Sequence, residues 1–404
     1  EADAVRDGFL QTASVYEVQT PITSGANYLR IATKDLLGNI SETTTLFEYH
    51  YEGISPALSL EIAESSFSGI STNSNLVNHH LQLTNQTGGL WLEQGLRPAP
   101  ATIQYAGKNA AYIESSNKLY LFRGVNDTTF YEYDVTKNTW TALAPAPSTV
   151  YYGGAVVEGP PGYLYATRGN NTTDFWLYDI TTNTWSPKAS VPLTVGYGGA
   201  MVYDGDQSIY ATRGNNTNTF WRYDTSSDEW SVESSVEFGA PSSNYTNNIY
   251  QGGDLVIDRD NQLIYAIQGN YNPGFSVFDI NTASWTVLPN TPMLIYRGSG
   301  LAYDPETEAV YCTAGEDKTN LYRYDPNLEN PALGKWTELS SAPGMFGYGG
   351  GIHRVEDYLI GIRGGNSTTI YKYDIAKDSW LVPSTGLFGH YFEGISLTNF
   401  YYGS

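Results

Sequence analysis

Residues 165–185 read YATRGNNTTDFWLYDITTNTW, and residues 210–230 read YATRGNNTNTFWRYDTSSDEW, nearly the same sentence set down twice, 45 positions apart. Self-similarity at this period marks a repeat architecture. The frame is an aromatic-Asp pair followed by a tryptophan. It runs from Tyr133-Asp134 to Trp140, Tyr178-Asp179 to Trp185, Tyr223-Asp224 to Trp230, Phe278-Asp279 to Trp285, Tyr324-Asp325 to Trp336 and Tyr373-Asp374 to Trp380. In five of these six units the Trp lies six residues after the Asp; the fifth is lengthened by PNLENPALGK. Gly-rich pieces lie upstream: YYGGAVV, GYGGAMV, YQGGDLV, YRGSGLA and GYGGGIH. Hydrophobic strand runs such as YLYATRG and QLIYAIQG follow them.

Each unit therefore holds four short β runs with turn residues between them. One four-stranded sheet cannot bury both faces alone, but sheets repeated radially cover each other. Small residues suit the crowded innermost strand, which fits the YGGA run. A large ring fills the gap where blades splay, which fits the Trp on the outer strand. The expected fold is all-β. In its diglycine-type strand end, spaced aromatic and later Trp, the chain resembles the kelch-repeat β-propeller family. It departs from that pattern where the second strand ends, with Arg-Gly or Gln-Gly (ATRGN, AIQGN) in place of Gly-Gly.

The adopted blade count is seven, with six as the alternative. A seventh tryptophan, Trp91, stands in GGLWLEQGLRPAPATIQYAG, which parallels NTWTALAPAPSTVYYGG from Asn138. The final GHYFEGISLTNFYYGS reads as an inner strand, so residues from about 78 to 95 would add the outer strands of a composite closing blade. That pairing would leave no open edge. Residues 76–404 are thus assigned to the propeller and 55–75 to a linker. Residues 1–54 alternate on both sides of DLLGN and resemble the last two strands of a bacterial Ig-like domain, so a partial Ig-like segment is expected.

Acidic residues outnumber basic ones 42 to 21, giving a formal charge of −21. Phosphate-rich partners need clustered Lys and Arg, so nucleic acid and anionic membrane are not expected. No apolar run is long enough to span a bilayer. The opening EADAVRDGFL shows no secretory leader and reads as a mature end or as a cut from a longer polypeptide. The single cysteine, Cys312, permits no intrachain disulfide and reads as a small buried apolar residue. Together with the kelch and Ig-like resemblances, this points to an extracellular or cell-surface protein for adhesion, glycan recognition or surface assembly. Other subunits or surface glycans are the expected partners, with homo-oligomers or filaments forming through the N-terminal β segment. A carbohydrate-active propeller enzyme, mutarotase-like or lyase-like, with its site in the central funnel, is the alternative.

One slot recurs before the glycine of the second strand: Arg123, Arg168, Arg213 and Arg363, with Gln268 and Ala314 in the other two units. A ring of guanidinium groups would hold a carboxylate or sulfate bidentately. The same repetition suits struts between blades, and both readings stay open. The following loop carries Asn-x-Ser/Thr at Asn126, Asn170, Asn171, Asn215 and Asn366, with further sequons at Asn39, Asn85 and Asn244. These are candidate glycosylation sites, while Asn also suits left-handed turns. Asp204 with Asp206, and Asp258 with Asp260 and Asn261, have the oxygen-rich look of calcium turns but read as hairpin turns. Some secreted kelch propellers are copper radical oxidases. Their Tyr-Cys crosslink and two His ligands would have to come from Cys312 and from His50, His79, His80, His353 and His390. The family's motifs are not recognisable there, so no metal or cofactor is expected.

Overall fold

The computed structural model describes residues 96–104, 110–124, 126–239 and 247–381 in full. It also describes the backbone of strands Asp3–Arg6, Gly25–Thr33, Thr44–Tyr51, Leu83–Asn85 and Ile395–Leu397. The chain divides into two units, one of residues 94–385 and one of residues 1–93 with 386–404.

Within residues 94–385 the repeat becomes six antiparallel four-stranded sheets, at 110–142, 155–187, 200–232, 254–287, 300–338 and 351–381. Each is a meander of consecutive strands. In the second blade Ala155–Glu158, Tyr163–Thr167, Phe175–Asp179 and Thr184–Pro187 follow in order from the axis outwards. The first strands of successive blades touch around the ring, and that of the sixth touches that of the first. The protein is therefore an all-β propeller of six blades.

The diglycines make the axis possible. Gly153 holds φ +75°, and a Cβ on it would overlap the Gly196 carbonyl of the next blade. Gly169, in the Arg-Gly pair, holds φ +68° and would overlap Gly154 of its own blade. The repeat thus needs glycine after the arginine slot and leaves the slot itself open to a side chain.

Aromatic wedges fill the seams. Phe175 of the second blade meets Tyr223 and Trp230 of the third edge-on, at 4.8 and 4.9 Å between centroids. Phe130 repeats this with Tyr178 and Trp185, and Phe275 with Tyr324 and Trp336. Such pairs add about 0.5–1.5 kcal/mol each beyond area burial.

The aromatic-Asp…Trp frame also forms a latch. The linker leaving the first blade passes the outer hairpin of the second. There Trp185 Nε1 donates to the Ala144 carbonyl at 3.0 Å, and the Ala144 N–H donates to Asn183 Oδ1 at 2.8 Å. The same Oδ1 accepts from the buried Tyr178 hydroxyl at 2.6 Å. Asp228 and Asp378 play the part of Asn183 for Ala189 and Ser340. In the fifth blade Trp336 binds the carbonyl of Pro289, which has no N–H to capture. There the long turn, with a 3₁₀ segment at Pro331–Leu333, replaces the tight one.

Two expectations are corrected. The expected seventh blade is not supported: among the described residues six four-stranded sheets complete the ring. The segment containing Arg97 and Ile103 occupies a linker position between the sixth and first blades. Ala99 N and Ile103 N donate to Thr368 O and Ser367 O of the sixth, while Trp140 Nε1 of the first donates to Arg97 O. The resemblance of LRPAPATI to LAPAPSTV is thus the resemblance of two linkers. Leu83–Asn85 does pair antiparallel with Ile395–Leu397, but as a two-stranded ladder in the other unit. The Ig-like segment is likewise unsupported: Asp3–Arg6 runs parallel to Gly25–Thr33, which pairs antiparallel with Thr44–Tyr51 in a three-stranded sheet. A hairpin with one parallel neighbour is too little to define a sandwich.

Candidate functional site: the axial mouth

Each linker delivers one residue to the end of the axis just before the diglycine or Gly-Ser pair. Those residues are Tyr152, Tyr197, Gln251, Arg297 and Tyr348 in blades two to six, and with the glycines they line a shallow open depression. The glycines bring the backbones together, so the side chains before them line a shared mouth.

On one side the mouth is aromatic. Tyr152 and Tyr197 stack at 4.2 Å with their planes 11° apart, and Tyr250 meets Tyr197 edge-on at 5.5 Å. On the other side it carries a cation. Arg297 Nε donates to Gln251 Oε1 at 2.6 Å and its Nη1 to the Tyr348 hydroxyl at 2.6 Å. The guanidinium carbon stands 4.9 Å from the Tyr296 ring centre and 4.7 Å from that of Tyr348. Tyr271 in turn stacks on Tyr296 at 3.8 Å. Burial works against the Arg297 charge, but the surrounding tyrosine oxygens outweigh it and push its pKa up, so it stays charged. Burial likewise raises the Tyr296 hydroxyl, which keeps its proton at neutral pH.

The rim is made by the loops between second and third strands. In blades two to six each turns through two left-handed residues, such as Asn170 and Asn171 at φ 54° and 56°, Asn270 and Tyr271 at 58° and 57°, or Glu316 and Asp317 at 51° and 56°. Asn171 Nδ2 donates to the Tyr152 hydroxyl at 3.2 Å. Of the sequon residues, Asn126, Asn171 and Asn366 are exposed while Asn170 and Asn215 are half-buried. All five have positive φ, and this backbone requirement is itself a reason for Asn to recur. Asn39 and Asn244 lie outside the described residues, as does the side chain of Asn85.

The repeated arginines stand beside the linkers and do not line the mouth. Arg123, Arg168 and Arg213 donate from Nε to the carbonyls of Thr102, Thr149 and Thr194 at 3.3, 3.0 and 3.0 Å. Arg123 and Arg168 also pair with Asp127 and Asp174. Gln268 is buried and donates to Asn247 Oδ1 at 3.0 Å, and Arg363 is half-buried in the matching place. The two oxygen-rich turns are closed on themselves. Asp204 accepts from Asp206 N and Ser208 N, and Asp258 from the backbone and side chain of Asn261. Among the described residues no three His, Cys, Asp or Glu side chains come together as a metal site. Cys312 lies buried between the fourth and fifth blades, and His353 stands on a strand of the sixth.

The mouth residues were missed by reading what repeats. Their signal is the opposite: one position in a constant frame that changes from Tyr to Gln to Arg and back to Tyr.

No protein-family model matches the chain, and no curated protein matches it. Among solved structures it is similar to that of YjhT, with a TM-score of 0.54 and 15% identity over 72% of this chain and 99% of that one. It is also similar to a fungal alcohol oxidase of the AA5 family in complex with copper, with a TM-score of 0.51 and 12% identity over 72% of this chain and 68% of that one. An auxiliary nutrient binding protein from Bacteroides thetaiotaomicron aligns with a TM-score of 0.49 and 12% identity over 67% of this chain and 69% of that one. Likeness at such identities speaks to the fold alone.

Proposed function

We propose that this chain is an extracellular or cell-surface binding protein of kelch type, and that its axial mouth holds a carbohydrate. The observation that carries the reading is the aromatic mouth itself, where Tyr152 and Tyr197 form a stacked wall within reach of amide and hydroxyl donors. Sugar rings present C–H faces to aromatic surfaces and hydroxyls to fixed polar groups, the combination that small-molecule sites use. The repeated arginines serve this site indirectly, by holding the linkers that carry Tyr152 and Tyr197. Binding is favoured over catalysis because the residues lining the mouth include no carboxylate or imidazole among the described residues. The surface location rests on the acidic composition and the kelch resemblance.

The test is a glycan-binding screen of the purified chain with Tyr152→Ala and Tyr197→Ala. A retained glycan whose affinity falls about tenfold or more in both variants, at unchanged melting temperature, supports the reading; aromatic contacts are worth about 0.5–1.5 kcal/mol beyond the area they bury. A screen in which no carbohydrate is retained overturns it. Surface location is tested by protease shaving of intact cells.

A further inference from the structure

We infer that the ligand of the axial mouth carries a carboxylate and that Arg297 is its receptor. This rests on the carbohydrate reading of the same mouth and names the chemical class within it.

A guanidinium has five N–H donors, and the described contacts of Arg297 use three, to Gln251, Tyr348 and Tyr296, which leaves two. Tyr296 and Tyr348 flank the group, so its remaining bonds are made in its own plane. Gln251 accepts through Oε1 and so keeps amide donors of its own beside the arginine. No carboxylate pairs with Arg297 among the described residues. By contrast Arg123, Arg168, Arg259, Arg323 and Arg354 each meet one. Arg213, Arg222 and Arg363 also lack a carboxylate partner among the described residues, but of the described arginines Arg297 alone is among the residues lining the mouth, and that lining holds no acid. A half-buried guanidinium loses solvation and regains it only from a counter-charge or from hydrogen bonds. A planar fork with donors to spare matches a two-oxygen planar anion. The same place in the second, third and sixth blades is tyrosine, so among the described residues one pole of the mouth is cationic. That asymmetry suits a ligand with one acidic end and a neutral body laid along Tyr152 and Tyr197.

The experiment is calorimetric titration of the whole chain with glucuronic acid, glucose, glucose 6-sulfate and the non-sugar carboxylate benzoate. It is repeated with Arg297→Gln, Arg297→Lys and the control Arg323→Gln, whose guanidinium pairs with Asp325 away from the mouth. Glucuronic acid is expected to bind at least about tenfold more tightly than glucose, as a charge-assisted pair provides. Arg297→Gln should bring that advantage below about twofold without changing the affinity for glucose, and Arg297→Lys should keep part of it. Arg323→Gln should keep it whole. Equal binding of glucuronic acid and glucose, unchanged in Arg297→Gln, overturns the inference and leaves the carbohydrate reading standing. Arg297-dependent binding of benzoate with neither sugar bound overturns that reading and leaves the inference. Preference for glucose 6-sulfate overturns the carboxylate assignment, and binding of none of the four overturns both. Should Arg297→Gln fail to fold, loss or retention of the preference in Arg297→Lys decides.

Discussion

The Nε2 of His353 is shut from solvent and has no hydrogen-bond partner, and burial lowers the pKa of the imidazole to about 4. On the strand Gly351–Val355, His353 lies on the same side as Val355, which packs in the seam between the sixth and first blades. An unfolded histidine titrates near 6.5, so between pH 6.5 and 4 the unfolded chain holds the extra proton. Stability contributed by the neutral imidazole is therefore fully present above about pH 6.5 and is lost as the pH falls towards 4. A shift of this size corresponds to roughly 3 kcal/mol across that window. In urea melts between pH 4 and 7.5, His353→Gln should remove close to one proton's worth of slope below pH 6.5. A variant with the wild-type slope would show that the acid sensitivity lies elsewhere.

At the scale of the element, the latch residue before each Trp is the sharpest case. Asn183 has φ 54°, accepts from the Tyr178 hydroxyl and accepts from the linker at Ala144. Asn183→Ala leaves a buried hydroxyl unpaired on a left-handed residue, at a cost of about 2–4 kcal/mol. Asn183→Asp should cost less than about 1 kcal/mol, since Asp228 and Asp378 do the same work. The fourth blade has Ala283 here, exposed and at φ 51°. Ala283→Asn should accordingly raise stability by about 1 kcal/mol, read as a higher melting temperature; a lower one would mean that the turn has no room for the side chain. Much of this element was legible beforehand. Strand positions, the inner glycines and the outer tryptophans follow from spacing, because every blade must solve the same packing problem. The latch was not legible, since Asn, Asp and Ala share its position and only the geometry of the linker explains why. The mouth was not legible either, because Arg297 and Gln251 look like lapses in a repeat until the glycines beside them bring five such positions to one axis.

The blade count belongs to the whole molecule, and local pattern could not decide it. LRPAPATI carries the linker signature, yet a linker signature does not say whether a blade precedes it. The ring decides, because its last seam needs a linker as every other seam does. Leu96, Ala99 and Ile103 are buried there beside Leu121 and Ile362, and Arg97 is gripped at both its N–H and its carbonyl by Asn138 and Trp140. Burial of Leu and Ile at about 2 kcal/mol each, with six hydrogen bonds at about 1 kcal/mol each, makes this seam worth roughly 10 kcal/mol. A polypeptide of residues 94–385 should therefore fold with a single cooperative melt. One of residues 105–385 keeps all six sheets but lacks the closing linker, and should melt at least about 10 °C lower or aggregate through the opened seam. Circular dichroism melts of the two polypeptides side by side make the comparison. If the shorter chain melts with the longer, the ring holds itself shut through the sixth and first blades alone. Residues 96–103 would then be a passenger on the seam and not its closure.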